Sequence, residues 1–232
     1  MIPTKQNLEA ILLKELPELP STRLLALVDI LYSTFTAKNS IEILPKISLR
    51  VFSLLFPYAS SEKIALYYTS FLDTLAKFHI DTLQRIAAFS AQIEIESGSL
   101  HYVEEIASGA AYEYRKDLGN LDKIALNAAH SKGTTTGRFY KGRGLMQITG
   151  FYNYRECGKA LELDLINEPM LLTDRKAACL SAGWFWSTRN CNSLADVEDI
   201  RTITKTINGG YTKLKERTDA YHRNLTMLRK VI

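Results

Sequence analysis

Apolar residues recur along this chain at a helical spacing of three and four positions, and the alternation that is typical of strands is scarce. The pattern predicts a mainly α-helical protein. Pro57 and the Gly209–Gly210 pair end helices, and prolines interrupt residues 17–20. The predicted helices span residues 4–14, 22–37, 47–56, 61–78, 82–96, 152–161, 174–187, 197–208 and 213–230, with a linker or turn over residues 39–45 and loops with short helical or hairpin pieces over residues 107–144.

The helix predicted over residues 82–96 carries the most chemical information. Asp81 is a suitable N-cap, and Gln84 follows at the spacing of a capping box. Glu96 extends the apolar stripe of this helix, and a Ser-Gly-Ser segment ends the helix directly after it. The stripe consists of Leu83, Ile86, Phe89 and Ile93.

Glu96 is therefore an acid in an unfavourable position. It faces apolar packing, and it lies at the C-terminal end of a helix, where the helix dipole disfavours a negative charge. Both effects favour the protonated carboxyl group, which is the form that a general acid needs at neutral pH. On position alone, the more common outcome is a glutamate that turns outward into solvent.

The composition is typical of a globular protein that buries a core without staples: 232 residues, 46% hydrophobic and 23% charged. The three cysteines are odd in number, and the four histidines lack ligand-like spacing. We therefore expect neither a disulfide framework nor a metal or cofactor. A net charge of +4 is too small and dispersed for a nucleic-acid partner, although it would suit an anionic cell-wall polymer.

The N-terminal region lacks the basic start, apolar run and small-residue cleavage site of a secretory signal peptide. Its longest apolar-leaning stretch is too short and too polar to span a bilayer, which predicts no transmembrane segment. We therefore expect synthesis in the cytoplasm. Action on a cell wall, in the periplasm or outside, would then need holin-type release or secretion.

Five segments carry a resemblance to a known family. GRGLMQITGFYNY (142–154) resembles the signature GRGPIQLTxNYNY, and AAFSAQIEIESGSL (87–100) resembles AxFxAQxxHESGG. YEYRKDLGN (112–120) is similar to YEGRxDLGN, and AGWFWSTRNCNSLAD (182–196) and ITKTINGG (203–210) match two further blocks. The five blocks, in this order, are those of glycoside hydrolase family 19, which includes class I chitinases and phage-type endolysins. The resemblance covers about residues 50–232.

The resemblance implies a mainly α-helical, two-lobed, lysozyme-like catalytic domain with a central cleft over residues 46–232. A short helical extension, residues 1–45, precedes it. This extension would either pack on the domain or dock onto secretion machinery, a wall or an inhibitor protein. The implied reaction is hydrolysis of a β-1,4-linked amino-sugar polymer with inversion at the anomeric carbon.

The resemblance also assigns roles to individual residues. Glu96 matches the general acid, Glu105 the general base, and Thr149 the residue that positions the attacking water. The residues matched to the substrate cleft are Gln147, Tyr152, Asn153, Tyr112, Asn208 and Arg217. The chain departs from the family pattern, without losing an assigned catalytic group, at Ile95, Ser99, Tyr114, Leu145 and Thr212.

An inverting hydrolase needs two carboxyl groups about 6.5–9.5 Å apart, with water between them. One continuous helix would separate Glu96 and Glu105 by about 13.5 Å, so the break after Glu96 is needed to turn the chain back. The base is harder to assign than the acid, because Glu104, Glu94 and Glu113 are nearby. Glu105 is our first choice.

The leading functional hypothesis is a peptidoglycan hydrolase of the muramidase or endolysin type, released as a phage lysin or secreted as an antibacterial effector. The alternative is a chitinase that hydrolyses N-acetylglucosamine polymers, since both substrates share the β-1,4 linkage and the acetamido group. A non-catalytic sugar-binding or interaction protein is the second alternative. The intact set of Glu96, Glu105 and Thr149 argues against it.

Overall fold

The computed structural model describes residues 5–17 and 20–232. Within them the chain forms twelve α-helices and no extended strand. The helices are α1 (Lys5–Glu15), α2 (Ser21–Ile43), α3 (Leu49–Leu55), α4 (Ser61–Lys77), α5 (Leu83–Glu96), α6 (Lys123–Ser131), α7 (Thr136–Phe139), α8 (Phe151–Leu161), α9 (Arg175–Thr188), α10 (Cys191–Asp196), α11 (Ile200–Asn208) and α12 (Leu214–Val231). Short 3₁₀ turns span Leu44–Lys46, Ala110–Tyr112, Lys116–Leu118 and Pro169–Thr173.

The N-terminal helices differ from the prediction at their ends. Residue 4 and half of the predicted 17–20 breaker lie outside the described residues. The prediction of a linker or turn over residues 39–45 is wrong, because α2 continues to Ile43 before a 3₁₀ turn begins. Asn39 and Ser40 are tolerated inside a helix, and Pro45 is the first residue that cannot continue one. Along this pair of helices, α1 packs against α2, and Leu24 and Val28 are buried.

The start of α5 also differs from the prediction. Its N-cap is Thr82, whose hydroxyl accepts a hydrogen bond from the Arg85 backbone N–H at 3.2 Å, and not Asp81. The Asp81 carboxylate instead pairs with the Arg85 guanidinium at 3.0 Å. The same guanidinium binds both carboxylate oxygens of Asp196 at 2.8 and 2.7 Å, so it joins the start of α5 to the end of α10.

The C-terminal half contains one short helix, α10, in a segment for which the pattern predicts none. The predicted helix over 197–208 begins only at Ile200, because the Asp199 side chain caps it by accepting from the Thr202 N–H at 2.9 Å. The separate helix α10 precedes it. In the loop region 107–144 the predicted short helical pieces are present as α6 and α7.

Helix α5 lies at the centre of the core. It packs along α12 and also contacts α3, α10 and α11. Its residues from Arg85 to Glu94 are all buried. The Phe89 ring meets Phe71 of α4 at 5.8 Å and Trp186 of α9 at 5.3 Å, which ties three helices together. A helix held this firmly is a rigid support for whatever its last residue does. None of the described helices is long and apolar enough to span a membrane.

Candidate active site

Glu96 is the last residue of α5, and its side chain is only 16% exposed. Its Oε1 accepts a hydrogen bond of 2.6 Å from the Nη2 of Arg217, which projects from α12. The buried Arg217 guanidinium also donates to Gln92 Oε1 at 2.5 Å and to the Thr212 carbonyl at 3.2 Å. The prediction that Glu96 has purely apolar surroundings is therefore wrong. Its charged partner, Arg217, is 121 residues further along the chain.

The break predicted after Glu96 is present. Gly98, Ser99 and Leu100 all have positive φ angles, of 56°, 57° and 68°. The Ser97 hydroxyl fixes the turn by donating to the Ile93 carbonyl at 2.7 Å and accepting from the Leu100 N–H at 2.8 Å. The chain therefore leaves the helix axis at once and cannot carry Glu105 further along it.

After this turn the chain pairs with the segment 142–148. The Glu105 N–H donates to the Gly142 carbonyl at 2.9 Å, and isolated bridges join Glu104 to Arg143 and Arg143 to Ile148. Lys141 also donates to the Glu105 carbonyl at 2.8 Å. These bonds fix the backbone of Glu105 against the block that contains Thr149.

The Glu105 carboxylate is held by two neutral donors. Its Oε1 accepts from the Tyr112 hydroxyl at 3.0 Å, and its Oε2 accepts from the Gly142 N–H at 3.1 Å. Burial and the neighbouring carboxylate raise the pKa of Tyr112, so this phenol remains a hydrogen-bond donor. Two predicted site residues, Glu105 and Tyr112, are thus in direct contact.

Gly142 lies where the side chains of this group converge. A β-carbon at this position would lie 3.3 Å from Glu105 Oε2, 3.3 Å from Thr149 Oγ1 and 2.8 Å from Gln147 Oε1. Only glycine leaves these three groups undisturbed. Thr149 donates its hydroxyl proton to the Gln147 carbonyl at 2.9 Å, which leaves the hydroxyl oxygen free to accept a hydrogen bond.

The other candidate acids have different partners. Glu104 pairs with Arg143 at 3.0 Å and Lys141 at 3.4 Å. Glu94 is buried against Arg223, and burial raises its pKa. Glu113 binds the Thr135 hydroxyl and the Gly137 N–H. Among these acids, Glu105 is the one beside Thr149 whose carboxylate has no cation attached within the described chain.

The remaining predicted cleft residues are placed less uniformly. Asn153 joins the site, because its Nδ2 donates to the Thr149 carbonyl at 2.8 Å. Tyr152 is 42% exposed, and the Arg155 guanidinium lies 5.2 Å from its ring. Asn208 ends α11 with an exposed side chain. In the described chain neither Tyr152 nor Asn208 hydrogen-bonds to Glu96 or Glu105, so their roles stay predictions.

Two contributors were not assigned from the sequence. Gln92 lies one helical turn before Glu96, and this spacing alone places both on one face of α5. Gly142 was quoted as part of a motif without a role. Only the folded structure shows that the absence of a side chain at Gly142 makes room for three neighbouring side chains.

The helical fold and the two separately held carboxyl groups suit one class of protein, the glycoside hydrolases that act with paired acids. The model of the family described as chitinase class I, glycoside hydrolase family 19, matches residues 65–222, and the chain belongs to this family. The predicted mainly α-helical, lysozyme-like fold is confirmed.

Individual relatives match parts of the chain. It is 35% identical over 122 residues to an endochitinase of Arabidopsis thaliana, a match that covers 52% of this chain and 39% of that protein. It is also 35% identical over 112 residues, 47% of this chain and 35% of the relative, to an inactive chitinase-like protein of Hevea brasiliensis. The crystal structure of chitinase C from Streptomyces griseus superposes with a TM-score of 0.61 at 22% identity, covering 79% of this chain and 77% of that one. The chain thus spans less than half the length of these plant relatives.

Proposed function

We propose that this protein hydrolyses a β-1,4-linked amino-sugar polymer, with chitin as the first candidate substrate. The sequence puts peptidoglycan first. The comparisons favour chitin, because the family model is that of class I chitinases and the Arabidopsis relative is named an endochitinase. The observation that carries the proposal is the placement of Glu105 beside Thr149, on a segment that turns back after Glu96.

In the proposed mechanism, the protonated Glu96 carboxyl donates its proton to the glycosidic oxygen as the bond to the anomeric carbon breaks. A water molecule, held by the Thr149 hydroxyl, attacks that carbon from the opposite face. The Glu105 carboxylate accepts a proton from this water. The product is a new hemiacetal with inverted configuration, and one proton has passed from Glu96 to the leaving sugar while another has passed to Glu105.

Each of the two proposed catalytic carboxyl groups is oriented by its protein partners. Arg217 and the rigid α5 fix the direction of the Glu96 carboxyl group, so that little reorientation is needed during the reaction. Glu105 is bound by a phenol and an amide N–H, which orient its carboxylate without neutralising it by an ion pair. A base that keeps an unpaired negative charge can accept the water proton.

Hydrolysis of chitin hexamers tests the proposal. Glu96→Gln is expected to lower kcat by at least about a hundredfold, since general acid catalysis typically contributes about 10²–10⁴. The first product seen by NMR should be the α-anomer. Glu94→Gln, the same substitution two residues earlier on the same helix, is the control that separates an effect on folding from an effect on catalysis. Activity of Glu96→Gln equal to that of the parent would refute the mechanism.

Murein is the second candidate substrate. It is favoured by Arg189, which donates to Asn153 Oδ1 at 3.4 Å and has no carboxylate within ion-pair distance in the described chain, because murein carries anionic groups and chitin does not. The non-catalytic alternative is kept because the chain is also similar to a relative that is named inactive, the chitinase-like protein of Hevea brasiliensis. If the wild-type protein binds chitin hexamers but cleaves neither chitin nor murein, the non-catalytic alternative is selected.

Delivery to a cell wall and a docking role of residues 1–45 are further proposals. Deletion of residues 1–45 tests both, with activity and delivery measured separately.

A further inference from the structure

A groove of about 790 Å³ opens between α8 and the end of α9. It is distinct from the surroundings of Glu96 and Glu105, although Asn153 belongs to both places. Its lining is formed by Asn153, Glu156, Lys159, Trp184, Thr188 and Arg189, with Ala160 at one side. Trp184 supplies an apolar wall that is largely buried, while Glu156, Lys159 and Thr188 are exposed.

Arg189 is the unusual member of this lining. Its guanidinium lies 3.4 Å from the centre of the Phe185 ring. Its hydrogen-bond acceptors are all neutral: the Thr188 hydroxyl at 3.2 Å, Asn153 Oδ1 at 3.4 Å and the Phe185 carbonyl at 3.5 Å. No carboxylate in the described chain lies within ion-pair distance of it.

This arrangement leaves a partly buried positive charge undercompensated. The C-terminal carbonyls of α9 and the Phe185 ring offset part of the charge. Burial nevertheless lowers the pKa of Arg189 from its usual value, which means that its charged form is less well solvated here than in water. A partly desolvated guanidinium that faces a groove gains much from an anionic ligand, above all from a carboxylate that matches its two parallel N–H donors.

The other charges of the groove are consistent with an anion. Lys159 adds a second cation. Glu156 is the one acid in the lining, and its carboxylate is occupied by Arg155 at 2.7 Å and Lys159 at 3.3 Å. The net charge at the mouth of the groove is positive, so the mouth attracts negatively charged groups. The charged residues there are Arg155, Glu156, Lys159 and Arg189.

One side chain connects the groove to the proposed catalytic residues. Asn153 donates from Nδ2 to the Thr149 carbonyl at 2.8 Å and accepts at Oδ1 from Arg189 at 3.4 Å. A group seated on Arg189 is therefore separated from the Thr149 backbone by a single amide. Because one asparagine side chain spans this gap, we expect a substituent of a sugar bound near Thr149 to span it as well.

We propose that the Arg189 groove binds a carboxylate carried by a substituent of the amino-sugar substrate, as in the peptide-bearing glycan of murein. The inference rests on the proposed function, because it requires a β-1,4-linked glycan near Thr149. Chitin has no such carboxylate. The groove would therefore favour a charged glycan over a neutral one at the same catalytic residues.

The experiment compares murein glycan with the same material after its carboxyl groups have been converted to methylamides. The measured quantity is the ratio of kcat/KM on native to amidated glycan, for the wild type, Arg189→Met and Arg201→Met. Arg201 is a matched control, since its guanidinium also lies over an aromatic ring, that of Tyr211 at 4.2 Å, and it does not line the groove. Chitin hexamers are assayed in parallel.

For the wild type and Arg201→Met we expect a ratio of about ten, the contribution of one hydrogen-bonded charge pair. For Arg189→Met we expect a ratio near unity. A wild-type ratio near unity, an Arg189→Met ratio equal to that of the wild type, or cleavage of chitin hexamers without cleavage of either murein form would overturn the inference and leave the proposed function standing. Absence of cleavage of all three substrates would instead refute the proposed function.

Discussion

Replacement of Arg217 by methionine tests the contact on which the candidate site depends most. The Arg217 side chain is 2% exposed, and its guanidinium hydrogen-bonds to Glu96, Gln92 and the Thr212 carbonyl. Methionine retains most of the apolar volume of the side chain but none of its donors. The Glu96 carboxylate would lose a charged partner, and Gln92 Oε1 would be left buried without one.

The magnitude follows from these losses. A hydrogen bond to a charged group contributes about 1.5–3 kcal/mol, and an unsatisfied buried acceptor costs about 1–3 kcal/mol. Glu96 retains some access to water, which reduces the first figure. We therefore expect Arg217→Met to lower the free energy of unfolding by about 3 kcal/mol. For a chain of this length the midpoint of thermal unfolding should fall by about 10 °C.

Urea denaturation followed by circular dichroism measures the effect, and a double-mutant cycle with Glu96→Gln measures the contribution of the Glu96 charge to the pair. Because the amide oxygen of the introduced glutamine can still accept a hydrogen bond from Arg217, Glu96→Gln alone should change stability little. The coupling energy should be about 1.5 kcal/mol. Lys215→Met is the control on the same helix: it breaks the exposed pair with Asp219, at 2.5 Å, and should leave stability unchanged.

A different result would refute the reasoning. If the free energy of unfolding of Arg217→Met lies within about 0.5 kcal/mol of that of the parent, as expected only for a surface ion pair, the energetic argument for the buried contact is refuted. A stable variant with full activity on chitin hexamers would also remove Arg217 from the mechanism. Loss of activity with native stability would keep its positioning role and contradict only the energetic argument.

Three further predictions concern other positions. Glu105→Gln should lower kcat on chitin hexamers by at least about a hundredfold with little change in KM, whereas Glu113→Gln should keep the parent rate; the reverse result would move the base to Glu113. Gly142→Ala should leave the circular dichroism spectrum unchanged but reduce kcat by at least about tenfold, because its methyl group would displace catalytic side chains by a few tenths of an ångström. Thr82→Ala should lower the free energy of unfolding by about 1 kcal/mol and Thr82→Ser should restore it, while equal stability of all three proteins would contradict the N-cap.

The sequence predicts most of the long helices of this protein because they bury apolar residues that recur at a helical period along the chain. It predicts their ends less well, because an end is decided by competition between neighbouring side chains. Asp81 and Thr82 can both cap α5, and the distant Asp196 helps to hold the Arg85 guanidinium that engages Asp81. The residue left to cap the helix is Thr82, and no local pattern contains that information.

The site divides in a similar way. Glu96 and Glu105 could be assigned from motifs, and the break between them could be predicted from Ser-Gly-Ser. The contact of Arg217 with Glu96 joins residues 121 positions apart, so the helical pattern could not supply it, although the resemblance indicated a late arginine. Arg189 is the opposite case: it stands inside a quoted block, but its lack of an acidic partner among the described residues appears only after the chain has folded around it.

The two proposed catalytic acids are held by different kinds of structure, and this difference has a chemical consequence. Glu96 belongs to the buried helix α5 and is fixed by the cation Arg217, so its position is as rigid as the core. Glu105 lies in a loop and is fixed by backbone pairing with Gly142 and by the Tyr112 phenol. Because loops open locally at lower free energy than core helices, any adjustment of the site to a bound glycan should occur on the Glu105 side. Substrate binding would then complete the geometry of the base, while that of the acid is already set by the fold.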